Sequence, residues 1–255
     1  MAIKLYYHIY TSSDALMNQW LIDEQIKRLQ WHRFPDKVQC YCTISGYNVF
    51  PALDLINKHR SWMQVLEWEE DDPHGEFEGR TLKYLYKDAL PDDKIFYMHT
   101  KGISFLSGYR NWGDPSKGFR FGPRNVKALT SWRLCMETSL IDVWTQRIEE
   151  LDRVDTIGCF YLEDPFPHYM GNFWWTRGSH IRKLHHPFDF DVKAYPNMNL
   201  KECTPERIRY EQWLFSAPGY HLPVRNWPWH VKPEDREPGY SPGVNPYEDD
   251  FAGLT

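Results

Sequence analysis

Residues 3–30 of the chain read IKLYYHIYTSSDALMNQWLIDEQIKRLQ, and this stretch decides the fold class. Residues 3–10 are rich in β-branched and aromatic side chains, which predicts a strand. Residues 11–14, TSSD, then supply turn and helix-cap side chains. Residues 15–30 place apolar side chains at helical spacing, so a helix is expected directly after the strand.

The alternation of strand and helix continues as far as residue 99. Further strands are predicted at residues 37–45, 63–68 and 94–99, with helices at residues 51–58 and 81–90. Such alternation is typical of βαβ units, whose parallel strands form one sheet. We therefore expect an α/β fold, a single domain with a mostly parallel central sheet flanked by helices.

The second half of the chain predicts less regular structure. Residues 104–123 are rich in Gly, Ser, Asn and Arg, which is typical of a loop that carries function. Helices are expected at residues 126–151, 179–184 and 206–216, a strand at residues 156–162, and a strand or turn at residues 171–176. After Pro218 the density of Pro, Gly and Trp predicts an extended or disordered end.

Composition narrows the class of protein. Aromatic residues make up 16% of the 255 residues and include 12 Trp, which favours a surface that binds sugars or bases. The net charge is -5 and no run of Lys or Arg stands out, which argues against binding of nucleic acid. No signal segment or membrane-spanning apolar stretch is visible, so a cytoplasmic protein without a transmembrane segment is expected. The composition leaves the oligomeric state open.

The cysteines predict neither a disulfide framework nor a zinc site, because their number is odd and no CxxC pair occurs. Reduced cysteines in the core are expected instead. The five are Cys40, Cys42, Cys135, Cys159 and Cys203.

Three turns are candidates for ligand binding, because ligands of open parallel sheets bind outside the carboxyl ends of the strands. These turns are residues 11–14, 43–46 and 99–102. A nucleotide is expected to lie across them. Neither the GxGxxG dinucleotide fingerprint nor the GxxxxGK[ST] phosphate loop occurs, which excludes those two modes of nucleotide binding.

Five short segments carry a resemblance to a known family. They are EFEGRTL at residues 76–82, FYMHTKG at 96–102, SWRLCME at 131–137, HYMGNFWW at 168–175 and EQW at 211–213. In this order they resemble a group of GT-A-type glycosyltransferase-like proteins of bacteria and large viruses, which act in the synthesis of polysaccharide, lipopolysaccharide or capsid glycan. The resemblance covers roughly residues 3–216.

The resemblance implies a GT-A-like domain over residues 1–218, with a nucleotide-binding half at about 1–103 and an acceptor half at about 104–218. Residues 219–255 form a Pro- and Trp-rich extension. The implied activity is transfer of a sugar from a nucleoside diphosphate sugar to a glycan or other hydroxyl acceptor. A UDP-sugar is favoured only because such donors are common.

Residues at the strand ends and in the matching motifs are the predicted binding site for the nucleotide sugar. They are Thr11, Ser12, Thr43, Glu78, Arg80, His99, Thr100, Lys101 and Gly102. For Glu78 and Arg80 the alternative is a role limited to the start of the following helix.

The departing diphosphate needs a positive charge. Most GT-A enzymes hold a divalent metal with a DxD motif after the fourth strand, but here that place reads His99-Thr100-Lys101. We expect Lys101 to stabilise the β-phosphate directly, the alternative being a solvated loop lysine. A Mn²⁺ or Mg²⁺ ion held by Asp92, Asp93 or the acidic residues 69–72 remains possible.

The GNFWW segment resembles the acceptor loop of GT-A enzymes. It predicts an acceptor site at Gly171, Asn172, Trp174 and Trp175, in which the indole faces stack on a pyranose. The alternative is a buried strand with two core tryptophans.

Inverting transfer also needs a base for the acceptor hydroxyl. Glu211 is the first candidate, Asp164 the second and His168 the third, with Glu163 also considered.

Two further alternatives stay open. Arg133 and Glu137 lie at i and i+4 on a predicted helix, which is typical of an ordinary ion pair. The missing DxD is the best support for a catalytically inactive carbohydrate- or nucleotide-binding module, and an aromatic-rich scaffold protein is a third class.

Overall fold

A computed structural model describes residues 1–70, 78–101, 103, 123–163, 166–190 and 205–225. The strands are β1 (Ile3–Thr11), β2 (Val38–Gly46), β3 (Met63–Glu70), β4 (Lys94–His99), β5 (Thr156–Cys159), β6 (Tyr161–Leu162), β7 (His168–Tyr169), β8 (Trp174–Arg177) and β9 (His221–Arg225). The helices are α1 (Ala15–Trp31), α2 (Phe50–Asn57), α3 (Gly79–Asp88), α4 (Pro123–Glu137), α5 (Trp144–Glu150), α6 (Gly178–Ile181) and α7 (Pro205–Trp213). A 3₁₀ helix spans Phe34–Asp36, and a π-helical segment, Thr138–Asp142, follows α4.

The central sheet has the strand order β3-β2-β1-β4-β8-β5-β9 in the described part of the chain. Strands β3, β2, β1 and β4 are parallel to one another, whereas β8 runs antiparallel to both β4 and β5. Strand β9 pairs in parallel with β5. The predicted α/β fold with a mostly parallel sheet flanked by helices is therefore confirmed.

Helices cover both faces of this sheet. On one face α1, α2 and the end of α4 bury apolar side chains against Phe96 and Trp175. On the other face α3 and α7 pack against Tyr97 and Trp174. Neighbouring residues of a strand point to opposite faces, so β4 and β8 each contribute one aromatic ring to each side.

Local capping explains where the first helix begins. The Asp14 carboxylate accepts a hydrogen bond from the Met17 amide at 3.1 Å, as expected of the predicted turn and cap residues. Leu21, Ile22, Ile26 and Leu29 then face the core with no exposed surface. The predicted helix is therefore present, one residue longer than its pattern indicated.

The sheet continues beyond residue 218, since β9 is its edge strand. The first residues of the predicted C-terminal extension therefore belong to the central sheet. Several predictions fall outside the described residues: the loop at 104–122, the acidic residues 71–72, Gly102, Asp164, Cys203 and the tail from 226 onward. No helix of the described part is both long and apolar enough to cross a membrane.

The described cysteines are free thiols, as predicted. Cys40, Cys42 and Cys159 are buried and Cys135 is partly buried.

Candidate functional site

The strand order reverses direction between β1 and β4, which makes their carboxyl ends a topological switch point. Thr100 ties the two ends together. Its hydroxyl donates to the Tyr10 carbonyl at 2.8 Å and accepts from the Tyr10 amide at 2.9 Å. The strand ends beside which the parallel-sheet rule places a ligand are therefore held in a fixed position relative to each other.

The end of β2 is held just as closely to the end of β1. Gly46 has φ 115°, and a Cβ atom there would lie 2.1 Å from the Thr11 carbonyl oxygen, so only glycine fits. The Thr11 hydroxyl donates to the Ser45 carbonyl at 3.2 Å. The Ser12 hydroxyl lies 2.8 Å from the Asn18 amide oxygen.

Four hydroxyl residues predicted to bind the donor therefore build the edge of the sheet instead. Thr11, Ser12, Thr43 and Thr100 are each at most 5% exposed, and their hydroxyl groups are all used in internal hydrogen bonds. The structure brings them together as predicted. Their burial argues against the other part of the prediction, which was direct contact of their side chains with the donor.

A row of polar side chains crosses the sheet just inside this edge. His8 is in register with Thr43 on one side and with His99 on the other. The His8 Nδ1 atom lies 3.2 Å from the Thr43 hydroxyl and 3.1 Å from the Thr81 hydroxyl of α3. Burial lowers the pKa of His8 to about 3, so its imidazole is neutral near pH 7. Sequence reasoning missed this residue.

Three of the resembling motifs meet around Glu78. The Asn172 side-chain amide donates to the Glu78 carboxylate, and the Trp174 indole donates to the Asn172 amide oxygen at 2.8 Å. The other Glu78 oxygen lies 3.7 Å from the His99 Nε2 atom. Residues from EFEGRTL, HTKG and GNFWW, remote in sequence, thus form one hydrogen-bonded cluster.

His99 has a defined tautomer in this cluster. Its Nε2 atom lies 2.9 Å from the Gly171 carbonyl oxygen, which only accepts, so Nε2 carries a proton. The Glu78 side chain is 18% exposed. Burial raises the pKa of the Tyr97 hydroxyl, and the charge of Glu78 raises it further.

The backbone of the Gly171-Asn172 turn explains these residue types. Gly171 has φ 90° and Asn172 has φ 55°, both in the left-handed region. A Cβ atom on Gly171 would lie 2.5 Å from the Met136 sulfur. Asparagine is among the few other residues that tolerate this conformation, and here its side chain also reaches Glu78.

Arg80 does not face the crevice as a free cation. It is 5% exposed, and its guanidinium donates to the carboxylates of Glu67 and Glu69. Burial of Glu67 is outweighed by hydrogen bonds from Tyr84 and Lys83 and by the charge of Arg80, which together lower its pKa. This pairing argues against the predicted contact of Arg80 with the phosphate or sugar hydroxyl groups of the donor, because two carboxylates already neutralise its charge.

Lys101 is the second residue after β4 and is partly exposed. Its Nζ atom lies 4.8 Å from the centre of the Trp132 ring, a cation–π distance. The lysine predicted to meet the diphosphate is thus placed at the switch point, with α4 beside it.

Trp174 and Trp175 are core residues, 1% and 0% exposed. The Trp174 ring stacks on Tyr97 with centroids 4.9 Å apart, and the Trp175 ring stacks on Phe96 at 4.8 Å on the opposite face. No ring face is left for a sugar. The predicted stacking on the acceptor is wrong, and the alternative of two core tryptophans is correct.

The candidate bases differ in their exposure to solvent. His168 is 3% exposed, and its Nδ1 atom lies 2.9 Å from the Phe166 carbonyl oxygen. Glu211 is partly exposed on α7, and the neighbouring Tyr210 ring packs against Gly79, next to Glu78. Asp164 lies outside the described residues, and Glu163 is exposed.

Two of the suggested metal ligands lie at the wrong edge of the sheet. Asp92 and Asp93 precede β4, at its amino end, and Asp93 pairs with Lys4 at 2.5 Å. Of the acidic run, Glu69 is paired with Arg80. Among the residues described, no group of three or more His, Cys, Asp or Glu side chains is arranged to hold a metal ion.

Arg133 and Glu137 form the expected ion pair, with a shortest distance of 3.0 Å. Arg133 also binds Glu24 at 2.7 Å. Gln25 donates to Glu137 at 2.8 Å and reaches the His99 carbonyl oxygen at 3.4 Å. Burial raises the pKa of Glu137, and the charge of Arg133 opposes this. The buried network therefore supports the end of β4 from the face that carries α1.

Two solved structures are similar to this chain at low sequence identity. A solved structure from Desulfovibrio desulfuricans G20, assigned as a nucleotide-diphospho-sugar transferase, is similar with a TM-score of 0.43 and 8% identity, covering 89% of this chain and 81% of that one. A 4-diphosphocytidyl-2C-methyl-D-erythritol synthase is similar with a TM-score of 0.38 and 11% identity, covering 92% of this chain and 95% of that one. Likenesses at these scores carry no conclusion about activity.

The sequence comparisons are more definite. No curated protein sequence matches the chain. A family model described as "Domain of unknown function (DUF8361)" matches residues 6–218. Because this match covers most of the chain, the protein belongs to the DUF8361 family.

Proposed function

We propose that the protein is a glycosyltransferase that moves a sugar from a nucleoside diphosphate sugar, with UDP favoured, to a hydroxyl group of a glycan acceptor. One observation carries the proposal. Glu78, His99 and Asn172, each from a different motif of the family resemblance, meet in one cluster at the switch point of a parallel sheet. A crevice of this kind is where α/β proteins bind nucleotides.

The diphosphate is proposed to lie across the ends of β1, β2 and β4, with Lys101 as its cationic partner. Lys101 is suited to this role because it is partly exposed, whereas the Arg80 guanidinium is buried between two carboxylates. A compact ammonium group stabilises a departing phosphate as a point charge.

The donor sugar is proposed to lie next to Glu78. Its carboxylate is held on one side by Asn172 and retains exposed surface. A carboxylate in a fixed position accepts hydrogen bonds from sugar hydroxyl groups and so orients the ring. The Gly171-Asn172 turn then forms the boundary between donor and acceptor.

In an inverting reaction the acceptor oxygen bonds to the anomeric carbon while the bond from that carbon to the phosphate oxygen breaks. The diphosphate leaves with the electron pair, and a base takes the acceptor proton. Glu211 remains the first candidate, because α7 packs beside Glu78 through Tyr210. A Mn²⁺ or Mg²⁺ ion, if the reaction uses one, would supply further positive charge at the diphosphate.

The proposal is tested first by thermal shift with UDP-, GDP-, CDP- and dTDP-sugars. A donor at 100 times its Kd stabilises the protein by about 2.7 kcal/mol, which raises the Tm by about 5–10 °C. One nucleotide class is expected to do so, and no shift with any of them would contradict the proposal.

Donor hydrolysis, measured with and without EDTA, is the second test. Lys101→Gln is expected to slow hydrolysis by tenfold or more, whereas Lys37→Gln, exposed before β2, is expected to leave it unchanged. Complete loss in EDTA would assign the diphosphate charge to a metal instead of Lys101 alone. Saturable binding without turnover would favour the inactive binding module.

A further inference from the structure

A second cavity, of about 670 Å³, opens beside α7 on the face of the sheet that carries α3. This volume is in the range of small-ligand sites. Among the described residues its lining includes Phe166, Phe188, Asp189, Phe190, Arg209 and Phe215. Four phenylalanines around one arginine form an aromatic wall with a single cationic group.

The charge of Arg209 is not compensated within the described part of the chain. Its one hydrogen bond there runs from the guanidinium to the Phe188 carbonyl oxygen at 2.8 Å. Its Nε atom is buried and has no hydrogen-bond partner. A buried donor of this kind costs free energy unless a ligand satisfies it.

The one acidic residue among the described lining residues does not neutralise this arginine. The Asp189 side chain is 78% exposed, and it lies 3.4 Å from His186 instead. By contrast, Arg80, Arg133 and Arg177 all pair with carboxylates. The Nε atoms of these three arginines are also buried without a hydrogen-bond partner, so Arg209 differs from them in its charge, which no described carboxylate pairs.

The cavity adjoins the proposed transfer site. The Tyr210 ring packs against Gly79 on one side, next to Glu78, and contacts the Phe188 ring on the other, with centroids 6.1 Å apart. One tyrosine thus separates the Glu78 cluster from the cavity wall.

We propose that this cavity binds an anionic pyranose unit, and, resting on the glycosyltransferase proposal, that this unit belongs to the acceptor. The apolar face of the ring contacts the half-buried Phe188, Phe190 and Phe215. Its carboxylate or phosphate binds the Arg209 guanidinium, whose planar fork matches both anions. This site replaces the two tryptophans as the aromatic surface for the acceptor.

The test is ligand-observed NMR titration of the full chain with glucuronate, glucose 6-phosphate and methyl glucoside. Either or both anionic sugars are expected to bind at least about tenfold more tightly than the neutral one, and their comparison distinguishes a carboxylate from a phosphate. Arg209→Gln is expected to abolish this preference while its amide still donates to Phe188. Arg182→Gln, which removes an exposed charge after α6, is the matched control and is expected to keep it.

Equal binding of all three sugars, no binding, or an unchanged preference in Arg209→Gln would overturn the proposal. Far-UV circular dichroism and the Tm show that each variant is folded. Thermal shifts with UDP and with the UDP-, GDP-, CDP- and dTDP-sugars are measured on the same samples. If UDP binds and the anionic sugars do not, only the cavity proposal fails. If the sugars bind through Arg209 and no nucleotide binds, only the glycosyltransferase proposal fails.

Discussion

Replacing Trp174 and Trp175 one at a time by phenylalanine distinguishes a tryptophan that positions the candidate site from one that only stabilises the core. Both indoles are fully buried, so either change leaves a small cavity that costs about 1–2 kcal/mol. Each change also removes an N–H donor and leaves its acceptor unsatisfied, which costs a further 1–3 kcal/mol or so. Unfolding is therefore expected to become easier by about 3 kcal/mol in both variants.

The two variants differ in what the lost hydrogen bond held. Trp174 donates to Asn172, which binds Glu78, whereas Trp175 donates to the Leu140 carbonyl at 2.9 Å on the other face. We expect Trp174→Phe to weaken donor binding and turnover by tenfold or more. Trp175→Phe is expected to keep both within about twofold at a temperature where it is folded.

Urea denaturation measures the stability of each variant, and donor hydrolysis at 20 °C measures activity. A loss of about 3 kcal/mol corresponds to a Tm lower by about 6–12 °C. Unchanged stability in either variant would refute the buried positions of the rings. Equal loss of activity in both folded variants, with a raised KM for acceptor, would restore the discarded idea that the rings stack on a sugar.

Three further changes test other parts of the site. Because the pKa of His8 is lowered, the unfolded chain binds a proton below about pH 6.5 and the native chain only near pH 3, so the free energy of unfolding falls as the pH drops through this window. His8→Gln is expected to remove about 2 kcal/mol of the loss between pH 6.5 and pH 5, measured by urea denaturation at each pH. An unchanged dependence of stability on pH would refute a neutral buried His8. Asn172→Gly keeps the left-handed backbone and loses the bond to Glu78, so donor binding weakens while the Tm falls less than in Asn172→Ala; the reverse order of Tm values would contradict the strain argument. Glu211→Gln is expected to abolish transfer without changing the UDP thermal shift, and near-native transfer, with loss in Asp164→Asn instead, would assign the base to Asp164.

The first half of the fold was predictable because its signals are local. The strand pattern of residues 94–99 matches β4 to the residue, and the TSSD turn begins α1 at the residue after Asp14. Parallel strands also place their carboxyl ends at one edge, so the meeting of the three predicted turns follows from the pattern, whereas the strand order that makes the switch point does not.

The position of β8 was not predictable from local signals. This strand reverses direction and enters the sheet between β4 and β5, a placement fixed by long-range pairing such as Phe96 with Trp175. In the sequence, two adjacent tryptophans resemble an aromatic segment that binds a ligand, but in β8 they are buried on opposite faces of the sheet. Only the neighbouring strands show that both rings are enclosed.

The charge environment of Arg80 and Arg209 was likewise not predictable from local sequence. Both arginines lie within helices, but Arg80 of α3 meets Glu67 and Glu69 from β3, whereas Arg209 of α7 donates to a carbonyl group and lines a cavity with phenyl rings. Which charge is compensated depends on side chains that are distant in sequence. In contrast, Glu78, His99 and Asn172 were each found from motifs. The structure adds the contacts between them, a hydrogen bond from Asn172 to Glu78 and a distance of 3.7 Å from His99 to Glu78.

Hydrogen exchange with and without a nucleotide sugar tests the central claim most directly. The donor that stabilises the protein is expected to slow amide exchange at residues 11–14, 43–48 and 99–101, the ends of β1, β2 and β4. It should leave residues 90–93, at the opposite edge of the sheet, unchanged. Protection confined to other segments, with these three turns exchanging as fast as in the free protein, would contradict the placement of the nucleotide at the switch point.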